Sequence, residues 1–336
     1  MRRVMVCVFL GVLSLMTVLL PGCAAAAPEM TLRFAGQFPE GHVATVLMRQ
    51  VAEEVLEKTG GRIAVQIFPN NELGDYTLVY EELIRGSIDM AAITVPSQFD
   101  PRLEIAYMNC VVRTFDDARK FFARDGWLFR KMDELHTRLG VKLLAFQIEG
   151  FIGIGSTKPV IEPLNPEVKK GILLRIPTME AFKLSAEAMG YQTITIRWDE
   201  VQASLQNGFA EGVSGMTPTA AYAMLKDVLK YWYDLRFSME NLNYMISLKT
   251  WEKLTEEDRA VIADACSRMT AASIDHAEAD QQKHLDLLRA AGVEVHTYSP
   301  EELAPVFSKV TATWDKLGDK LSKELIEEFI REYAGK

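Results

Sequence analysis

Gly60-Gly61-Arg62-Ile63-Ala64-Val65-Gln66-Ile67-Phe68 is the stretch that decides the fold. Two adjacent glycines end a helix, and the residues from Arg62 to Phe68 alternate polar with apolar, the period of a half-buried strand. Upstream, His42 to Thr59 spaces Val43, Val46, Leu47, Val51, Val55 and Leu56 along one helical face, and Leu32 to Ala35 reads as a short strand. Downstream, Thr77 to Arg85 forms a second helix stopped at Gly86, and Ile88 to Val95 a third strand. A β-α-β-α-β order implies a parallel sheet with covering helices.

The pattern repeats further on. Phe115 to Leu139 is largely helical, Val141 to Ile148 is an apolar strand, and a glycine-rich run from Gly150 to Gly155 follows. A second α/β unit then begins, with a second sheet of similar style to the first. Ile172 to Ile176, Gln192 to Arg197 and Gly212 to Met216 are its strands; Thr178 to Met189 and Asp199 to Gln206 are its helices. The last third is helical, from Thr255 toward Arg289 and again after Ser299-Pro300-Glu301-Glu302, a strong helix start with Ser as cap and Glu three residues on. Val293 to His296 is a lone strand between them, so the chain crosses between two units more than once.

Arg2 and Arg3, the apolar run Val4 to Leu20 and the small residues Gly22 to Ala27 have the order of a secretory signal peptide, residues 1–27. Leu20-Pro21-Gly22-Cys23 resembles a lipobox, in which Cys23 would carry a lipid anchor; the alternative is cleavage near Ala27. The expected location is the periplasm. The net charge of −9 moves to about −11 once Arg2 and Arg3 leave. An acidic chain without a basic run is a poor partner for nucleic acid or for anionic lipid. Cys110 and Cys266 lie far apart in apolar surroundings and read as two small buried residues, with pairing as the alternative.

No metal or nucleophile pattern is visible. His42, His136, His276, His284 and His296 lack chelating spacing. The segment Gly150 to Lys158 has the wrong order for a phosphate loop. The expectation is therefore binding rather than catalysis, with no cofactor and no metal. Arg175 ends an apolar strand just before Pro177. A desolvated guanidinium there suits bidentate capture of a carboxylate, and equally an ordinary salt bridge at a sheet edge.

Thr59-Gly60-Gly61-Arg62-Ile63-Ala64-Val65, Phe68-Pro69-Asn70-Asn71-Glu72-Leu73-Gly74, Gly86-Ser87-Ile88-Asp89-Met90, Leu174-Arg175-Ile176-Pro177, and Trp198-Asp199-Glu200-Val201 with Leu205-Gln206-Asn207-Gly208 and Glu211-Gly212 stand in this order along nearly the whole mature chain. Together they resemble the TRAP transporter solute-binding proteins of the DctP type. That resemblance implies an α/β, two-lobed periplasmic-binding-protein-like fold with a hinged cleft between the lobes and long C-terminal helices. It implies a small organic acid as ligand and TRAP membrane permease subunits as partners, so the membrane is met through the transporter or the anchor at Cys23. The expected lobes are residues 28–149 with about 242–281, and 150–241 with about 282–336.

The resemblance also marks Arg175 as the ligand's carboxylate anchor and Trp198 as an aromatic wall. Gln37, Tyr76 and Thr94 face the cleft by the same alignment, as do Glu149, Phe151 and Ile152 on the first crossing, Thr178, and Gly215, Met216 and Thr217. Sialic-acid binders of the family carry a further arginine where Phe151-Ile152 stands, and an asparagine where this chain reads Val213-Ser214-Gly215-Met216-Thr217. Their absence, with Trp198 and Phe151, favours a monocarboxylate with an apolar or aromatic body. The rival readings are a binding protein of an ABC-type importer, a ligand-sensing component, and an exported enzyme, the last opposed by the missing nucleophile and base.

Overall fold

The computed structural model describes residues 27–333. The signal-peptide run and Cys23 lie outside them. Nine strands form one mixed sheet: β1 (Met30–Gly36), β2 (Ile63–Phe68), β3 (Met90–Ile93), β4 (Val141–Ser156), β5 (Leu173–Ile176), β6 (Gln192–Thr195), β7 (Gly212–Val213), β8 (Tyr231–Ser247) and β9 (Glu294–Thr297). Their order is β2-β1-β3-β8-β4-β7-β5-β6, with β9 on the side of β8. The helices are α1 (Val43–Lys58), α2 (Tyr76–Arg85), α3 (Phe115–Phe121), α4 (Trp127–Arg138), α5 (Glu180–Ala188), α6 (Val201–Gln206), α7 (Pro218–Leu225), α8 (Leu248–Trp251), α9 (Glu256–Ala290), α10 (Pro300–Thr311), α11 (Trp314–Gly318) and α12 (Lys323–Tyr333).

The local signals work as written. His42 caps α1 and Asp75 caps α2, each through a side chain accepting a backbone N–H. Gly86 ends α2 in the left-handed region at φ 79°, which glycine adopts without penalty. Ser299 and Glu302 close a capping box on α10. The parallel pairing of β1 with β2 and β3 follows the β-α-β-α-β reading. The core face of α1 is rotated from the expected one: Ala44, Leu47, Met48, Val51 and Val55 are buried, whereas Val46 and Leu56 face solvent.

Two differences matter more. The apolar strand does not stop at Ile148 but continues through the glycine-rich run to Ser156 as one sixteen-residue strand. Its partner, seventeen-residue β8, has no counterpart in the sequence reading, because Asp234, Ser238, Glu240, Asn241 and Asn243 break its apolar pattern while being buried themselves. The two strands pair antiparallel from Val141↔Ser247 to Ser156↔Tyr231, with register shifts at Leu143/Ala145, Ile148/Gly150 and Ile152/Ile154. Instead of two separate sheets, the two lobes therefore share one ladder through β4 and β8. Helix α9 lies along it, touching α1, β4, α3, α7 and β9. A core of Phe34, Leu47, Val51, Met90, Tyr244, Ile262 and Cys266 fills the space between α1, the sheet and α9. Cys110 and Cys266 are both buried and free.

Glycine is required where β4 crosses. A Cβ on Gly153 would lie 2.5 Å from Trp232 Cζ2 and 2.8 Å from the Tyr233 carbonyl oxygen, in contact with both a ring and backbone. Gly153→Ala should cost about 2 kcal/mol, in the range for overpacked cores. The check is urea unfolding, with a lower midpoint and an unchanged slope expected.

Candidate functional site

Arg175 is the third residue of β5, flanked by β6 and β7. Its side chain is 1% exposed. Nε donates to the Ile196 carbonyl at 2.9 Å and Nη1 to the Ser214 carbonyl at 3.2 Å. Those two bonds fix the plane of the guanidinium and leave its remaining N–H groups without a protein acceptor. No carboxylate forms an ion pair with it among the described residues, and burial lowers its pKa to about 10. The Trp198 ring stands 5.9 Å from the guanidinium carbon, a cation–π distance.

These groups line a cavity of about 440 Å3 of atom-free space, its mouth included. One wall is Gln37, Phe38, Tyr76 and Thr94; the opposite wall is Arg175, Pro177, Met179, Trp198 and Gly215 to Thr217, with Ala220. Tyr107 and Glu240 close the inner end. Contacts cross between the walls: the Phe38 and Trp198 rings meet edge-on at 5.9 Å, and Ser97 Oγ donates to the Thr178 carbonyl at 2.9 Å. Gly215 has φ 83°, and a Cβ there would lie 3.2 Å from Pro177, so glycine lets this turn pass beside the arginine.

The polar wall is preorganised. Gln37 Nε2 donates to Thr94 Oγ1 at 3.0 Å, and its Oε1 accepts from the Thr94 backbone N–H at 2.8 Å. Thr94 Oγ1 in turn donates to Glu240 Oε1 at 3.2 Å. Burial, then the neighbouring charge of Glu149, raises the Glu240 pKa to about 8. Glu149 is itself raised to about 7 by burial and takes a 2.6 Å hydrogen bond from Gln147 Nε2. His42, held neutral by burial, has Nε2 3.4 Å from the Glu149 carboxylate.

Eight of the twelve expected residues thus meet at the cavity: Gln37, Tyr76, Thr94, Arg175, Trp198, Gly215, Met216 and Thr217. Glu149, Phe151, Ile152 and Thr178 are not on its wall. Glu149 sits behind Glu240. Phe151 turns its face to the Arg236 guanidinium at 4.2 Å and its edge to Phe115, and Ile152 is core. Thr178 borders a neighbouring groove with Ile196 and Arg197. Sequence reasoning did not single out Phe38, Tyr107, Pro177, Met179, Ala220 or Glu240. Phe38 and Pro177 adjoin or share motifs already noted; Glu240 required recognition of β8.

The profile of the family described as "Bacterial extracellular solute-binding protein, family 7" (DctP) matches residues 34–321. The chain is 24% identical over 280 residues to the sialic acid-binding periplasmic protein SiaP of Vibrio cholerae, covering 82% of this chain and 85% of that one. It is 23% identical over 309 residues to the C4-dicarboxylate-binding periplasmic protein DctP of the same organism, covering 89% and 90%. Among solved structures, a TRAP periplasmic solute-binding protein from Haemophilus influenzae with bound L-gulonate superposes with a TM-score of 0.81 at 20% identity, over 90% of this chain and 99% of that one. One from Desulfovibrio salexigens with bound orotic acid gives 0.80 at 21% identity, over 90% and 98%. This chain belongs to the DctP family of bacterial extracellular solute-binding proteins, whose members are binding components and not enzymes.

Proposed function

We propose that the Arg175 cavity captures a small organic monocarboxylate in the periplasm for transfer to a TRAP membrane permease. One observation carries the reading: a guanidinium 1% exposed, without an ion-pair partner, on the wall of a narrow cavity. A buried charge left alone is costly, so an incoming carboxylate completes a site built one charge short. The fixed plane favours two parallel N–H···O bonds. Solved TRAP periplasmic solute-binding proteins of this fold with bound L-galactonate and bound succinate support the assignment.

The finer reading is an acid with an apolar or aromatic body. Phe38, Pro177, Met179, Trp198, Met216 and Ala220 supply apolar walls, and the close spacing of those walls suits a flat body. Phe151 is not one of these walls, since its ring lies against Arg236. Glu240, Thr94 and Gln37 add one polar end, so the ligand is expected to carry a single hydrogen-bonding group opposite its carboxylate. In this reading the lobes are residues 28–149 with about 242–281, and 150–241 with about 282–336.

Arg175→Ala should weaken binding of the carboxylate roughly 100-fold or more, the range for truncating one partner of a buried hydrogen-bonded charge pair. Calorimetry on the acid released from denatured protein measures it, and parent-like affinity in the variant would refute the anchor. Tight binding of a sugar acid, with none of aromatic or branched acids, would overturn the apolar body.

The Glu240 carboxyl also makes a pH prediction. Its folded pKa, about 8, lies above the ordinary 4.5, so the folded protein holds this proton more tightly than the unfolded chain does. Its contribution is full below the ordinary value and is lost as pH rises toward about 8. Glu240→Gln should therefore lose less stability than the parent between those limits. Urea midpoints measured across that span test it, with Glu149 and Arg175 as the charged neighbours common to both proteins.

A further inference from the structure

A second cavity lies away from the cleft, where β8 crosses between the lobes. Ile152 of β4 pairs with Ser238 and Ile154 with Tyr233, so the four residues from Asp234 to Phe237 bulge opposite Gly153. Within that bulge Arg236 holds φ 49°, a left-handed backbone that a long side chain adopts at a cost. The strain aims its side chain into a groove formed with α10 and the start of α3. Arg113, Arg236, Tyr298, Leu303, Ala304 and Phe307 are among the residues that line it.

Arg113 and Arg236 are the two cations, and no acidic residue lines this groove. Neither guanidinium forms an ion pair with a carboxylate among the described residues. Each rests on an aromatic ring: Arg236 lies 4.2 Å from the Phe151 centroid, Arg113 5.7 Å from that of Phe307. Stacking holds a guanidinium by its face; Arg113 Nε donates to the Cys110 carbonyl at 3.5 Å, which leaves its terminal nitrogens to meet an anion. Arg236 Nε and the Tyr298 hydroxyl are both buried without a hydrogen-bond partner, an expense that a bound group would offset. Asp234 is the nearby counter-charge. It lines the adjoining cavity with Gln281 and Arg289, and its Oδ1 is also unpartnered. The remaining wall is apolar: Pro300, Leu303, Ala304 and Phe307. The groove holds about 900 Å3 of atom-free space, its mouth included, against about 440 Å3 in the Arg175 cavity.

We propose that this groove is a second binding site, for a small organic carboxylate whose head pairs with Arg236 and Arg113 and whose short apolar tail lies on Leu303 and Phe307. It is independent of the Arg175 cavity. Because it is built on the crossing bulge, an occupant bonds to the strand that joins the lobes.

The probe is hexanoate, titrated by calorimetry into the full chain carrying Arg175→Ala, so that the cleft anchor makes no contribution. One binding event is expected. Arg113→Gln added to that chain should weaken it by roughly tenfold, the loss of one charge-assisted pair. Arg113 is exposed and outside the cleft, so this variant keeps both the fold and, in the Arg175 parent, the affinity of the cleft ligand. Arg236→Gln should weaken hexanoate at least as much. Raised salt should weaken it as well, and a protein–hexanoate crystal should place the carboxylate between the two arginines. Absence of binding at millimolar hexanoate, or binding unmoved by both substitutions, would overturn the proposal.

Discussion

The antiparallel pairing of β4 with β8 is the constraint on which the other features depend. A single ladder runs from Val141↔Ser247 at one end to Ser156↔Tyr231 at the other. Both lobes hang from it, so the distance between their facing loops is set by two strands and not by a flexible linker. The register shifts along the ladder bend it where the chain passes from one lobe to the other, and bulges do this by adding residues to one strand only. Gly153 and Trp232 meet in van der Waals contact at the last of these shifts, which leaves no room for a side chain.

That ladder turns two ordinary α/β units into a binding site. Glu240 sits on β8 at the point where the strand leaves the Thr94 side and approaches the Arg175 side, and therefore closes the inner end of the cavity. Arg175 reaches the same space from the end of β5, its guanidinium locked by the Ile196 and Ser214 carbonyls. A positive group without a partner and a carboxyl kept largely neutral by burial form a pair of unequal ends. The arrangement discriminates by charge at one end and by hydrogen bonding at the other, while the apolar side walls choose by shape. The buried His42, whose Nε2 faces Glu149, is not part of the cavity lining.

Much of this was legible in the residues, and the gaps have physical causes. Caps and glycine stops are local interactions, so His42, Asp75, Gly86 and Ser299 mark their helix ends within a few residues. Eight site residues came from the family resemblance, whose ordered motifs carry the positions that face the cleft. Strand β8 escaped because periodicity detects strands with one wet face. Its buried Asp234, Ser238, Glu240, Asn241 and Asn243 look like loop residues until their partners across the sheet are known. Phe151 shows the converse error. Its place on the first crossing is correct, yet the pleat and the shift beside it turn the ring toward Arg236 instead of the cleft.

The sequence by itself determined the α/β character, the ends of helices that carry a clear cap or glycine stop, the arginine at the end of β5 and the family, because each rests on short-range pattern or on ordered motifs. Tertiary structure decided that two sheets are one, which wall each residue joins, that Glu240 faces the same cavity as Arg175, and that Arg236 is strained into a groove of its own. Those are statements about pairs of residues far apart in the chain, such as Thr94 with Glu240, and a contact of that kind exists only once the long ladder has fixed the register between them.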